Sequence, residues 1–127
     1  MLPLFCKLFR NCTLVILLFT DFNGLAQTNL NQGFVYNGFS RTYIVHLPPD
    51  TSMQNIPLVF NLHGFKSTAF LQQIYSQFDA VADTANFIVV YPNAVDSVWD
   101  TIFQNSSIDD VGFISALIDT LAQYYSI

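Results

Sequence analysis

The chain has 127 residues, which is room for one small domain, and carries a formal net charge of −5 with only 10% of its residues charged. After residue 26 its strong bases are Arg41 and Lys66 alone, against eight aspartates and no glutamate. That balance argues against nucleic acid or an anionic membrane surface as a partner.

The chain opens with a leader. Lys7 and Arg10 precede the apolar run Cys12–Phe19, and Gly24-Leu25-Ala26 supplies small residues suited to cleavage before Gln27. The apolar run is too short for a bilayer, which needs roughly 20 residues. Residues 1–26 therefore read as a signal peptide, and 27–127 as a domain delivered outside the cell or to a periplasm, with no membrane attachment after cleavage. Neither Cys6 nor Cys12 follows a small residue, which argues against a lipoprotein. Both cysteines lie in the leader, so residues 27–127 hold no disulfide, zinc–thiolate site or cysteine nucleophile.

Beyond the leader, Asn29–Gln32 is polar and reads as a loose lead-in. Phe34-Val35-Tyr36, Asn37-Gly38 and Phe39 predict a hairpin, because Asn-Gly suits a two-residue type I′ turn. Arg41 to Leu47 alternates and is rich in β-branched and aromatic residues, as a strand should be. Pro48-Pro49-Asp50 ends it. Leu58 to Leu62 is apolar almost throughout, the pattern of a strand covered on both faces.

Ser67 or Thr68 can cap one helix running to Asn86, with Leu71, Ile74, Tyr75, Phe78, Val81, Ala82 and Ala85 at three- and four-residue steps. Phe87 to Tyr91 is a second buried strand stopped by Pro92, and 93–107 reads as a surface loop carrying Trp99 and Phe103. Asp109-Asp110 opens a last helix with Phe113, Ile114, Leu117, Leu121 and Tyr124 on its apolar side. The order predicts an α/β fold with an antiparallel start, then parallel strands joined by crossover helices. A helix over 110–125 normally crosses to another parallel strand, so the sequence is expected to be the N-terminal part of a longer, incomplete domain.

The most informative stretch is Ile56 to Phe65, where an apolar strand breaks into His63-Gly64. Backbone N–H groups at such a turn face a cleft and can receive negative charge, as an oxyanion hole requires. Gly64 would permit a positive φ or a close backbone approach. His63, at the strand end, would hold the turn by hydrogen bonds rather than act as a base. His46 would be a packed or surface residue. Asp109-Asp110 fits a helix cap better than a metal site, since adjacent helical residues diverge and no other ligands are spaced to join them. Trp99 and Phe103 would line a cleft or cover the core. Asn105-Ser106-Ser107 is a glycosylation sequon.

Four pieces resemble the secreted α/β-hydrolase esterases that include polyhydroxybutyrate depolymerases and feruloyl or acetylxylan esterases. Arg41 to Pro48 is similar to that family's second strand, and Pro57 to Gly64 to its third. Phe87 to Asn93 is similar to its fourth, and Asp109-Asp110-Val111-Gly112-Phe113-Ile114 to the start of the helix before its nucleophile strand. The resemblance implies a serine ester hydrolase with Ser, Asp and His in that chain order, no cofactor and no metal, acting on a polyester or plant cell-wall ester. It implies that the backbone N–H of Phe65 donates to the oxyanion. The chain contains no Gly-x-Ser-x-Gly pentapeptide. The nucleophile, acid and base of the triad are thus expected outside it, and the chain alone is expected to be inactive. The alternative is a non-catalytic secreted α/β-hydrolase-like module that binds a sugar or a partner.

Overall fold

The computed structural model describes residues 28–100 and 107–127. The leader, Phe103, Asn105 and Ser106 lie outside the described residues. The first two strands, β1 (Thr28–Tyr36) and β2 (Phe39–Leu47), pair antiparallel along their whole length. Asn37 and Gly38 between them have φ of 48° and 83°, as the type I′ turn demands. The expected lead-in at 29–32 belongs to β1. Leu30, Phe34 and Tyr36 recur at even spacing toward the core, which fixes the register of β1 on β2 and leaves the residues between them exposed.

The strand β3 (Leu58–Phe60) is followed by helices α1 (Ala69–Ser76) and α2 (Phe78–Ala85), then by β4 (Ile88–Pro92). The sheet order is β1-β2-β4-β3, with β2 and β4 antiparallel and β3 and β4 parallel. The fold is therefore the expected α/β arrangement with an antiparallel start. β4 is buried throughout. β3 is shorter than the apolar run suggested and only half-buried, because it lies at the edge of the described sheet.

Side-chain alternation assigns the two faces. Tyr43, Val45, Ile88 and Val90 meet Phe113, Leu117 and Leu121 of α3 (Asp110–Leu121) on one side. Ile44, Val89 and Tyr91 meet Ala69 and Ala82 on the other. The helix α3 ends at Leu121, earlier than its periodicity suggested, and Tyr124 is exposed.

The single helix expected over 68–86 is two. Gln77 adopts φ 51°, ψ 30°, which ends α1 and starts α2. The apolar stripe of α1 faces outward: Leu71, Ile74 and Tyr75 are all more than half exposed. Its inner face is Ala69, Gln72, Gln73 and Ser76, and that face is tied down by polar partners. Gln72 Nε2 donates to Asn61 Oδ1 (2.8 Å), Asn61 Nδ2 to Ser76 Oγ (2.9 Å), and Gln73 Nε2 to Asp79 Oδ2 (2.8 Å). Beside them His46 is fully buried, with Nε2 2.8 Å from Asp83 Oδ1 and Nδ1 2.9 Å from Asn29 Oδ1. Satisfied polar contacts inside a sheet–helix layer cost little, so they can win against the apolar stripe.

Candidate active site

The site forms where β3 and β4 end side by side. Past Phe60, Asn61 still donates its N–H to Val90 O (2.8 Å). The chain then leaves the sheet through Leu62 and His63 into a turn at Gly64–Ser67, closed by Ser67 N–H donating to Gly64 O (3.1 Å). Lys66, at the third turn position, takes the left-handed φ of 54°. Gly64 does not have a positive φ, and a Cβ built on it would meet nothing within 4 Å. Of the two roles expected for Gly64, the positive φ falls to Lys66 instead, and the space beside Gly64 is open. Phe65 points outward, three-quarters exposed, with the Lys66 ammonium 5.4 Å from its ring centroid. Among the described residues, no acceptor bonds the Phe65 N–H.

His63 is buried and bonded on both ring nitrogens. Nδ1 lies 2.8 Å from Gly64 O, and Nε2 accepts from the Ala94 N–H (3.1 Å). A carbonyl facing Nδ1 and an N–H facing Nε2 select the tautomer with its proton on Nδ1. Trp99 lies against the imidazole at 5.0 Å between centroids, and its Nε1–H donates to His63 O (2.8 Å). A third tie runs from the Lys66 N–H to Ser97 O (2.9 Å). The loop after β4 therefore grips the turn after β3 at Ala94, Ser97 and Trp99. Trp99 covers the turn from the inside.

Asn93 fixes the start of that loop. Its N–H donates to Thr42 O (2.9 Å), its Nδ2 to Thr42 Oγ1 (2.9 Å), and its Oδ1 accepts from the Ala69 N–H (2.7 Å). Together with Thr68, whose hydroxyl accepts from the Leu71 N–H (3.3 Å), it satisfies the first turn of α1. A groove of ≈ 700 Å³, lined by Thr42, Thr68, Phe70, Asn93 and Asp96 among others, opens beside this corner but does not reach residues 63–65.

The N-terminus of α3 closes the far side. Asp109 caps the helix through the Gly112 N–H (2.8 Å) and accepts from Tyr36 Oη (2.9 Å). The Gly112 N–H, then the Tyr36 hydroxyl, hold the Asp109 carboxyl below the usual carboxylate range. That same hydrogen bond to Asp109 pushes the Tyr36 phenol up. Asp110 points inward instead, where its Oδ1 pairs with Arg41 Nη2 at 2.5 Å and its Oδ2 accepts from the Asp100 N–H at 2.6 Å. Arg41 also stacks its guanidinium 3.8 Å from the Phe113 ring centroid.

Solved structures share this architecture. An S-formylglutathione hydrolase of Staphylococcus aureus superposes with a TM-score of 0.56 at 20% identity, covering 80% of this chain and 42% of the hydrolase. A ferulic acid esterase gives 0.56 at 17% over 80% of this chain and 44% of that one. A thermostable esterase gives 0.58 at 22% over 78% and 31%. By sequence, a bifunctional acetylxylan esterase/xylanase of Neocallimastix patriciarum is 30% identical over 92 residues, which is 71% of this chain and 13% of that protein. The chain has the α/β-hydrolase fold in part, and the proteins it resembles include esterases. It spans less than half the length of these relatives, and no protein-family model matches it.

Within this α/β-hydrolase framework the structure brings His63, Gly64 and Phe65 together at the end of β3, as the sequence placed them. Sequence reasoning missed Ala94 and Ser97 among the residues that grip the turn, and Asn93 as the anchor of their loop. It also missed Arg41 and Asp110 as a buried pair. Asp110 was visible as a helix-start carboxylate, but its partner lies 69 positions away. No metal-binding cluster of three or more His, Cys, Asp or Glu occurs among the described residues.

Proposed function

We propose that residues 63–66 are the oxyanion-binding turn of an exported serine ester hydrolase of the polyhydroxybutyrate depolymerase/feruloyl esterase type. The observation that carries this reading is the Phe65 N–H. It is main chain, lacks a partner among the described residues, and sits in a turn gripped at three points beside the open space at Gly64. A tetrahedral intermediate of ester hydrolysis puts a full negative charge on the former carbonyl oxygen. A donor already fixed in place stabilises that charge without reorganising during the reaction. The similarity to esterases supports this reading.

The reaction further needs a nucleophilic serine, a histidine base and an acid that orients it. We assign none of these roles to a residue of this chain: His63 holds the turn, and both its nitrogens are occupied. Export by the leader at 1–26 would place the enzyme where neutral polyester or cell-wall esters occur. This chain alone should not hydrolyse p-nitrophenyl acetate above background.

The test uses the intact protein. Phe65 occupies the second turn position, where proline is well tolerated, so Phe65→Pro deletes the donor and keeps the turn. In the intact enzyme kcat on p-nitrophenyl acetate should fall roughly 10²–10³-fold, with Phe65→Ala close to wild type, if one oxyanion donor is lost. Equal rates for the two variants would refute the assignment. Failure of the wild-type protein to react with a serine-directed phosphonate would favour the binding-module alternative.

A further inference from the structure

The buried pair Arg41–Asp110 has no direct part in ester chemistry, and its position calls for another explanation. Arg41 is 2% exposed and Asp110 7%. Burying two charges costs several kcal/mol per ion, and an apolar pair of the same volume is often neutral or more stable. Stability is therefore a weak reason to keep this pair. Its remaining hydrogen bonds are more telling. Arg41 Nη2 donates to Asn93 O (3.3 Å), and Asp110 Oδ2 accepts from the Asp100 N–H (2.6 Å). One ion pair thus ties the segment 93–100 at two points, Asn93 and Asp100.

That loop needs tying. Asp96 and Ser97 are consecutive non-glycine residues in the left-handed region, at φ 49° and 61°. Such conformations cost on the order of 1–3 kcal/mol each and persist only where the surroundings over-determine them. The strained segment is also the one that grips the turn, through Ala94 to His63 Nε2, Ser97 O to Lys66 and Trp99 to His63 O.

We propose that Arg41 and Asp110 are positioning residues: by holding the 93–100 segment at Asn93 and at Asp100, they fix the 63–66 turn and aim the Phe65 N–H. The inference rests on the proposed reading of that turn as the oxyanion site. The pair touches no reacting atom and acts entirely through Asn93, Asp100 and the loop between them. Arg41 sits on β2, the sheet neighbour of β4, and Asp110 on α3, so the turn inherits the rigidity of the sheet and of the helix packed on it.

The test replaces the pair by Arg41→Met with Asp110→Leu in the intact protein, and reads amide hydrogen exchange over 62–67 and 93–100 by mass spectrometry alongside urea unfolding and kinetics. Exchange at Lys66 and Ala94 should accelerate roughly tenfold or more, as for locally opened backbone, while the urea midpoint holds or rises. On p-nitrophenyl acetate, kcat should fall with KM little changed. A folded double variant that protects Lys66 and Ala94 as the wild type does would overturn the proposal. Should the double variant not fold, Asp100→Pro decides alone, because it deletes the loop-end donor and leaves the ion pair intact. Faster exchange at Lys66 in that variant supports the clamp, and unchanged exchange refutes it. A wild-type protein with no esterase activity would defeat the functional reading, but the exchange results would still judge the clamp.

Discussion

The grip of the loop on the turn can be tested at one atom. Ala94 has φ −73° and ψ 155°, which proline adopts without strain, so Ala94→Pro removes the N–H that His63 Nε2 accepts and leaves the backbone path intact. The lost hydrogen bond is worth about 0.5–1.5 kcal/mol net, and stranding a buried acceptor can raise the cost to about 1–3 kcal/mol. Against this, proline restricts the unfolded chain and returns about 0.4–1 kcal/mol. The expected result is a net loss of about 0.5–2 kcal/mol, or a urea midpoint lower by several tenths of a molar to about 1 M at ordinary slopes. Ala94→Ser keeps the N–H and serves as the control. Nitrogen-15 NMR supplies the decisive reading, because the chain has only two histidines. His63 should show its proton on Nδ1 in the wild type and lose that preference in Ala94→Pro. A native His63 protonated on Nε2, or a proline variant with unchanged stability and tautomer, would refute the geometry.

Three substitutions and one titration extend the reasoning. Gly112→Ala should destabilise, although alanine in a helix ordinarily gains about 1 kcal/mol over glycine, because its Cβ would fall on Asp109 Oδ2 and the Tyr36 hydroxyl; a higher urea midpoint would contradict the close packing. Gln77→Gly should stabilise by about 0.5–1 kcal/mol, since glycine takes the left-handed conformation freely, whereas in a continuous helix it would cost about 1 kcal/mol, so the sign of the change decides between one helix and two. Gly64→Ala should leave the urea midpoint unchanged, given the open space around it, and lower kcat/KM in the intact enzyme; full activity would mean that the space is not used by substrate. Asp109, held below its ordinary value of 3.8 in the folded state, contributes stability that is present above that value and is lost as pH falls below it through the lowered folded value. Asp109→Asn should therefore flatten the acid limb of a stability–pH profile, and an unchanged limb would dismiss Asp109 as its source.

The order of elements was legible because each carries its own local signal. Asn37-Gly38 fixes a turn by backbone chemistry alone, and the β-branched and aromatic alternation from Arg41 to Leu47 marks a strand, which is buried on both faces from Tyr43 to His46. The break at Gln77 was not legible, since Gln77 is a good helix former and no glycine or proline marks it. The outward apolar face of α1 was equally hidden. A three- and four-residue period reveals a stripe but not the direction it faces, and here Asn61, Asn29 and Asp79 offered Gln72, Gln73 and Ser76 enough hydrogen bonds to turn the polar side inward. The site divided in the same way. The His63-Gly64-Phe65 corner is local and could be read. Its support comes from residues 31 and 36 positions away, and a single sequence carries no information on which distant pairs meet.

That division follows from how the site is assembled. A main-chain donor has no side chain to specify it, so precision must come from whatever holds the backbone. Within the turn itself the described hydrogen bonds both end on the Gly64 carbonyl, from the Ser67 N–H and from His63 Nδ1. The remaining constraint arrives through the loop after β4, whose two left-handed residues make it a poor support when loose and a stiff one when both ends are fixed. Each anchor of that loop lies on an element built for the core: Thr42 and Arg41 on β2, Asp110 on α3. The packing that buries Phe113 under the Arg41 guanidinium is thus the packing that aims the Phe65 N–H. Fold and site share residues here, so a substitution under Phe113 should reach the turn as surely as one within it.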